Sequence, residues 1–98
     1  MEATRLNINI YEDKEAMSAA AGQYAIAVIK NALLERDQAV IVTATGASQI
    51  DMVKTIVTSE GIDWSKVIMF HLDEYIGLPA THPASFKKYI QERYLDQL

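Results

Sequence analysis

The chain predicts an α/β fold: an open, mostly parallel sheet built in β-α-β-α-β-α order. Three observations carry that prediction. Strand-length patterns stand at 5–10, where apolar and polar residues alternate, and at 39–43 and 67–70, which are continuous apolar runs. Stretches with apolar residues three and four apart separate and follow them, as amphipathic helices require. The two later runs end in turn-forming segments that contain Gly46 and Gly77-Leu78-Pro79.

From Arg5 to Ile10, apolar Leu6, Ile8 and Ile10 alternate with polar residues, the pattern of a half-buried edge strand. Asp13 is positioned to cap a helix, with Glu15 in a first turn where the helix dipole favours acids. Met17, Ala20, Ala21, Tyr24, Ala25, Val28, Ile29, Ala32 and Leu33 predict one broad apolar face on that helix. Ala39-Val40-Ile41-Val42-Thr43 is a short continuous apolar run rich in β-branched residues, as in a central parallel strand covered on both faces. A second helix is expected from about Ser48 to Ser59, with Ile50, Val53, Ile56 and Val57 inward. Gly61 to Ser65 makes a turn, and Val67 to Phe70 the third strand. Pro83 suits the first position of a last helix that carries Phe86, Tyr89, Ile90, Tyr94 and Leu95 toward the core. The alternation is that of a Rossmann-like sheet with crossover helices.

At 98 residues the chain has room for one small domain, which buries roughly 60–70% of its unfolded surface. Its composition, 50% hydrophobic and 22% charged, is that of an ordinary globular protein. No apolar run approaches the ~20 residues of a membrane span, and Met1 to Arg5 shows no signal-peptide pattern. Cysteine is absent, which excludes disulfides and thiolate metal sites and fits a reducing cytoplasm best. A net charge of −4 argues against nucleic acid as a partner. Lys87-Lys88, the one adjacent basic pair, reads as a solvated helix face.

Two segments carry chemistry, both at carboxyl ends of predicted strands, where open α/β sheets bind ligands. In Thr45-Gly46-Ala47-Ser48, a tight strand-to-helix turn directs backbone amides at an anion, and glycine removes a Cβ from its approach. Thr45 and Ser48 add hydroxyls. Ser48 reads equally as a helix cap, and Gly46 as a simple turn. The loop is neither a Walker loop nor a dinucleotide fingerprint, so no nucleotide cofactor is expected. The second segment, Asp73-Glu74, reads either as a cap and a solvated acid or as a general base. A base at this edge, partly desolvated, abstracts a proton beside a carbonyl. A phosphate loop and a carboxylate sharing one crevice suit a small sugar phosphate. His71, at the end of its strand, reads as a satisfied structural histidine, and His82 as part of a helix start. The two lack a metal-ligand spacing, so no metal is expected.

Asp73-Glu74-Tyr75-Ile76-Gly77-Leu78-Pro79, followed by His82-Pro83-Ala84-Ser85, resembles the glucosamine-6-phosphate deaminase (isomerase) family. The resemblance covers essentially the whole chain but only the first part of the family's domain, whose members run well over twice this length. It implies an incomplete domain, 1–98 being its N-terminal portion and inactive by itself. It also implies conversion of glucosamine 6-phosphate and water to fructose 6-phosphate and ammonia. Asp73 then corresponds to the base that moves a proton between C2 and C1 through an enediol. Glu74 and Tyr75 shape the substrate site, and Thr45, Gly46, Ala47 and Ser48 hold the phosphate. The family loop usually reads Thr-Gly-Gly-Thr-Pro, so Ala47 and Gln49 depart from it. The ring-opening histidine and the basic phosphate ligands of the family come from segments later than Leu98. Apolar sheet surface left uncovered predicts self-association into a homo-oligomer. The related 6-phosphogluconolactonases typically carry Asp-Glu-Arg where this chain has Asp73-Glu74-Tyr75, which disfavours lactone hydrolysis. A non-catalytic sugar-phosphate sensor or assembly module is the third reading, and such a module has no need of the acidic pair.

Overall fold

A computed structural model describes residues 6–79 and 81–98. Five main elements follow in order: α1 (Lys14–Arg36), β1 (Ala39–Thr43), α2 (Ile50–Thr58), β2 (Val67–His71) and α3 (Phe86–Arg93). The strands pair in parallel, Ala39 opposite Val67 through Thr43 opposite His71, with α2 as the crossover between them. The α/β class and parallel pairing are those the sequence predicts.

The first predicted strand is not formed. Arg5 lies outside the described residues, and Leu6 to Ile10 run as irregular chain with Leu6, Ile8 and Ile10 exposed. A strand has no hydrogen-bond partners of its own, and among the described residues this segment finds none in the sheet. Alternation records which side chains would be buried and cannot supply the neighbour.

Asp13 caps α1 as expected: its side chain accepts from the Ala16 amide at 2.8 Å. The helix ends at Asp37, which takes the left-handed conformation (φ 56°) and donates its amide to the Leu33 carbonyl. The buried line keeps Ile29 and Ala32 of the predicted face and is otherwise displaced from it. It runs through Ser18, Gly22, Ile26, Ile29 and Ala32, while Met17, Tyr24 and Val28 stay exposed. Apolar residues are spread around the helix and not gathered on one face, so close approach decides its rotation. A Cβ on Gly22 would lie 2.8 Å from Cβ and Cγ2 of Thr55 and 3.2 Å from the Met52 carbonyl. Small residues therefore seat α1 on α2, where larger ones cannot fit.

Helices cover one face of the sheet. Ala39, with Ile41 and Val67, packs against Ile29 and Ala32 of α1. Met69 packs with Val53, Val57, Tyr89 and Tyr94. On the opposite face Val40, Val42, Ile68 and Phe70 are exposed, so the predicted two-sided coverage of the first of these strands is not realised among the described residues. The second helix begins at Ile50, preceded by a 3-10 turn at Ala47–Gln49, and buries Val53, Ile56 and Val57.

The last helix starts at Phe86, not near Pro83, because a carboxylate from elsewhere fixes its first turn. Glu74 accepts from the Phe86 amide at 3.0 Å, the Lys87 amide at 2.9 Å and the Ser85 hydroxyl at 3.2 Å. Its own loop adds the Tyr75 amide at 2.9 Å. Tyr94, 3% exposed, closes the far end of α3 against the sheet and shares a 2.9 Å hydrogen bond with the Thr43 hydroxyl. Leu95, expected inward, is exposed.

Ser18 and Gly22, one helical turn apart, should respond oppositely to alanine. The Ser18 hydroxyl is buried with no hydrogen-bond partner among the described residues. Ser18→Ala is thus expected to stabilise by about 1 kcal/mol. Gly22→Ala should destabilise by about 1–2 kcal/mol, because overpacking against Thr55 exceeds the gain in helix propensity. Denaturant titration of both variants checks the signs. Glu74 makes a separate prediction. The Phe86 amide first, then those of Lys87 and Tyr75 and the Ser85 hydroxyl, hold its carboxyl at about 2 against a usual 4.5. A depressed carboxyl stabilises the fold above its unfolded pKa and loses that effect as pH falls through its folded pKa. The gap in thermal midpoint between parent and Glu74→Gln should be full at neutral pH and close as pH falls from 4.5 to about 2. A gap independent of pH would exclude this role.

Candidate functional site

Because β1 and β2 are adjacent and parallel, the loops that follow them leave the same end of the sheet. Pairing continues one step past the strands, where the Leu72 amide donates to the Thr43 carbonyl at 2.8 Å. Loop 44–49 and loop 72–79 thus start side by side.

In the first loop Gly46 is extended (φ 178°), a conformation open to any residue. A Cβ there would meet only the Ser48 hydroxyl, at an ordinary 3.7 Å. Neither backbone conformation nor packing within the chain therefore requires glycine at 46. The 3-10 turn begins at Ala47, with the Gln49 amide bonded to the Gly46 carbonyl at 3.0 Å. The first amides of such a turn, those of Ala47 and Ser48, have no acceptor inside it. Ser48 lies within the turn and does not cap it, so that reading of its hydroxyl falls away.

His71 joins the two loops. Its side chain is 7% exposed and lies stacked on Phe86, ring centroids 4.4 Å apart. Nε2 is 2.7 Å from the Thr45 hydroxyl, and Nδ1 is 2.7 Å from the Asp73 carbonyl oxygen. The same Nδ1 lies 3.5 Å from the Asp73 carboxylate. The imidazole is satisfied on both nitrogens, as the structural reading requires, and its partners belong to the two segments singled out for chemistry. Sequence inspection missed this link, because nothing local marks which way a strand-end side chain turns.

Asp73 and Glu74 divide in character. Asp73 has a side chain 73% exposed, so the described residues do not supply the desolvation expected around a base. Glu74, expected at the substrate, directs both oxygens at Tyr75 and the start of α3. Both of its oxygens are thus already engaged within the described residues. Ser85, which sequence reasoning passed over as a functional residue, is 3% exposed and donates to that carboxylate. Tyr75 is half exposed, its ring 5.3 Å from that of Phe86.

Thr45 and Tyr75 line one cleft of about 380 Å³, together with Ser85, Tyr89, Lys88 and Arg93 of the α3 region. Gly46, Ser48 and Asp73 are not among its walls. A larger depression, about 510 Å³, lies between α2 and the chain's last turn and holds none of the predicted residues. His82 accepts from the Ala84 amide at 3.0 Å in the turn before α3, apart from the first histidine's cluster. Among the described residues no three metal-ligating side chains come together.

A glucosamine-6-phosphate deaminase from Alkaliphilus oremlandii is 33% identical over 94 residues, 93% of this chain and 37% of the relative. Glucosamine-6-phosphate deaminase 2 of Bacillus subtilis is 33% identical over 75 residues, 74% of this chain and 30% of the relative. The chain spans about a third of the length of the curated relatives it matches. The solved structure of a monomeric glucosamine-6-phosphate deaminase superposes with a TM-score of 0.77 at 24% identity, over 90% of this chain and 36% of that one. A 6-phosphogluconolactonase candidate from Neisseria gonorrhoeae gives the same TM-score at 23% identity, over 87% and 36%. At those identities the likeness is one of fold. The model of the family described as Glucosamine-6-phosphate isomerases/6-phosphogluconolactonase matches residues 12–98, nearly the whole chain, and the protein belongs to that family.

Proposed function

We propose that this chain carries the phosphate loop and the proton-transfer carboxylate of an amino-sugar-phosphate deaminase/isomerase. The reaction is conversion of glucosamine 6-phosphate and water to fructose 6-phosphate and ammonia. The observation that supports it most is the meeting of Thr45 and Asp73 on opposite nitrogens of His71, in a member of this family.

In the open-chain sugar, the C2 hydrogen is acidified by the neighbouring C1 carbonyl, because its electron pair delocalises into an enediol-type intermediate. Asp73 takes that proton as general base and returns it to C1. The resulting C2 imine adds water and releases ammonia. The exposed Asp73 carboxylate loses its water only when the sugar covers it, which strengthens its interactions in the loaded site. At the other end of the substrate the phosphate sits on the turn 45–48. The free first amides and the space left by Gly46 accept an anion there. The same 3-10 turn explains why Ala47 is tolerated where the family usually has glycine: an amide donates whatever side chain stands beside it. Tyr75 borders the cleft, and Glu74 holds the segment in place from α3.

Two variants test the assignment in the protein that bears this chain. Asp73→Asn is expected to lower kcat for ammonia release by roughly 10²–10⁴ with little change in KM. Full activity would remove Asp73 from the mechanism, and lactone hydrolysis without ammonia release by the parent would replace the reaction. Gly46→Val should leave the thermal midpoint unchanged, since 46 is extended and uncrowded. It should weaken glucosamine 6-phosphate binding by about tenfold or more, the value of a charge-assisted hydrogen bond. Unchanged affinity would take the phosphate off this loop.

A further inference from the structure

His71 restricts what the Thr45 hydroxyl can do. A carbonyl oxygen only accepts, so the 2.7 Å contact of Nδ1 with the Asp73 carbonyl puts a proton on Nδ1. The Asp73 amide also approaches Nδ1, but at 3.3 Å, and that weaker contact demands the opposite tautomer. With Nδ1 protonated, two states remain. In the neutral ring Nε2 is a bare lone pair, and the Thr45 hydroxyl must donate its only proton to it across 2.7 Å. The hydroxyl then offers a ligand lone pairs alone, which repel phosphate oxygens. In the doubly protonated ring Nε2–H donates to Thr45, whose own proton turns outward.

We propose that His71 is a positioning residue that must carry both ring protons for Thr45 to donate to a substrate phosphate, so that loading the loop takes up one proton from solvent. This rests on the reading that the Thr45 loop takes the phosphate. The ring is held so that it answers through protonation and not by turning: its side chain is 7% exposed, and it lies parallel to Phe86 with 19° between planes. Among the described residues, the groups facing it are the Asp73 carboxylate at 3.5 Å from the loop after β2, Tyr89 edge-on at 6.1 Å from α3, and Thr45 from the loop after β1. Asp73 is the anion in this set, so the proton taken up lies between the phosphate loop and the proposed base. Thr45 thereby discriminates by protonation state: it receives an anion as a donor and a neutral hydroxyl as an acceptor.

Nitrogen NMR of the protein that bears this chain, with labelled histidine, reads the protons on both ring nitrogens directly. His82 serves as the internal control, since its Nδ1 accepts from the Ala84 amide and makes it the opposite tautomer. In the free protein His71 should show a protonated Nδ1 and a bare Nε2. Saturation with glucosamine 6-phosphate should protonate both nitrogens, and inorganic phosphate should do the same. Thr45→Val should weaken both ligands by roughly tenfold or more and leave His71 neutral at saturation. A neutral His71 in the saturated parent, or a Thr45→Val variant that binds as tightly, overturns the proposal while leaving the phosphate loop intact. Failure of either phosphate to bind overturns the loop reading along with it.

Discussion

The carboxylate of Glu74 ties the loop after β2 to the start of the last helix. α3 has eight residues, a length at which an isolated helix is marginal in water. Its first amides need an acceptor, and Ser85, which stands at the cap position, makes no side-chain cap bond. Glu74 supplies the acceptor from twelve and thirteen residues upstream, and also accepts from the Ser85 hydroxyl. Once α3 is fixed there, Phe86 lies against the His71 ring and Tyr94 reaches the Thr43 hydroxyl. The same tie therefore seats α3 and fixes the loop that carries Asp73. Fold and site share one interaction.

Much of this was legible in the residues, and the failures have physical causes. The strands at 39–43 and 67–70 and the cap at Asp13 were readable because their signals are local: β-branched runs and an acid three residues before the amide it accepts from. The pairing of two chemistry-bearing loops followed from the strand-end rule, since adjacent parallel strands deliver their loops to one edge. The start of α3 was misplaced because its cap comes from Glu74, and no capping pattern spans such a separation. The face of α1 was misjudged for a related reason. Counting apolar positions ranks Met17 and Tyr24 above Ser18 and Gly22, whereas the interface with Thr55 selects for the absence of a side chain. The edge strand at 5–10 was misread because alternation reports a preference that only a sheet neighbour can satisfy. Strong local signals survived, and signals that depend on a distant partner did not.

The two ends of the sheet are stabilised by different physics. Toward the amino ends of the strands, Ile29, Ala32 and Ala39 form an apolar cluster with Leu33, Ile41, Ile62 and Val67. At the carboxyl ends polar ties join the packing: Thr43 to Tyr94, Thr45 to His71, His71 to Asp73, Glu74 to α3. Apolar packing is tolerant of direction, while a hydrogen bond fixes both distance and angle. A site that must hold a hydroxyl and a carboxylate in register gains more from the second kind. The exchange has a chemical consequence. Where a hydroxyl meets another hydroxyl or an imidazole, donor and acceptor can exchange roles, and in the proposed site the His71 ring is the point where such a reversal redirects the Thr45 hydroxyl. In the proposed site, the network that orders the loops is thus also the one that a charged substrate would meet.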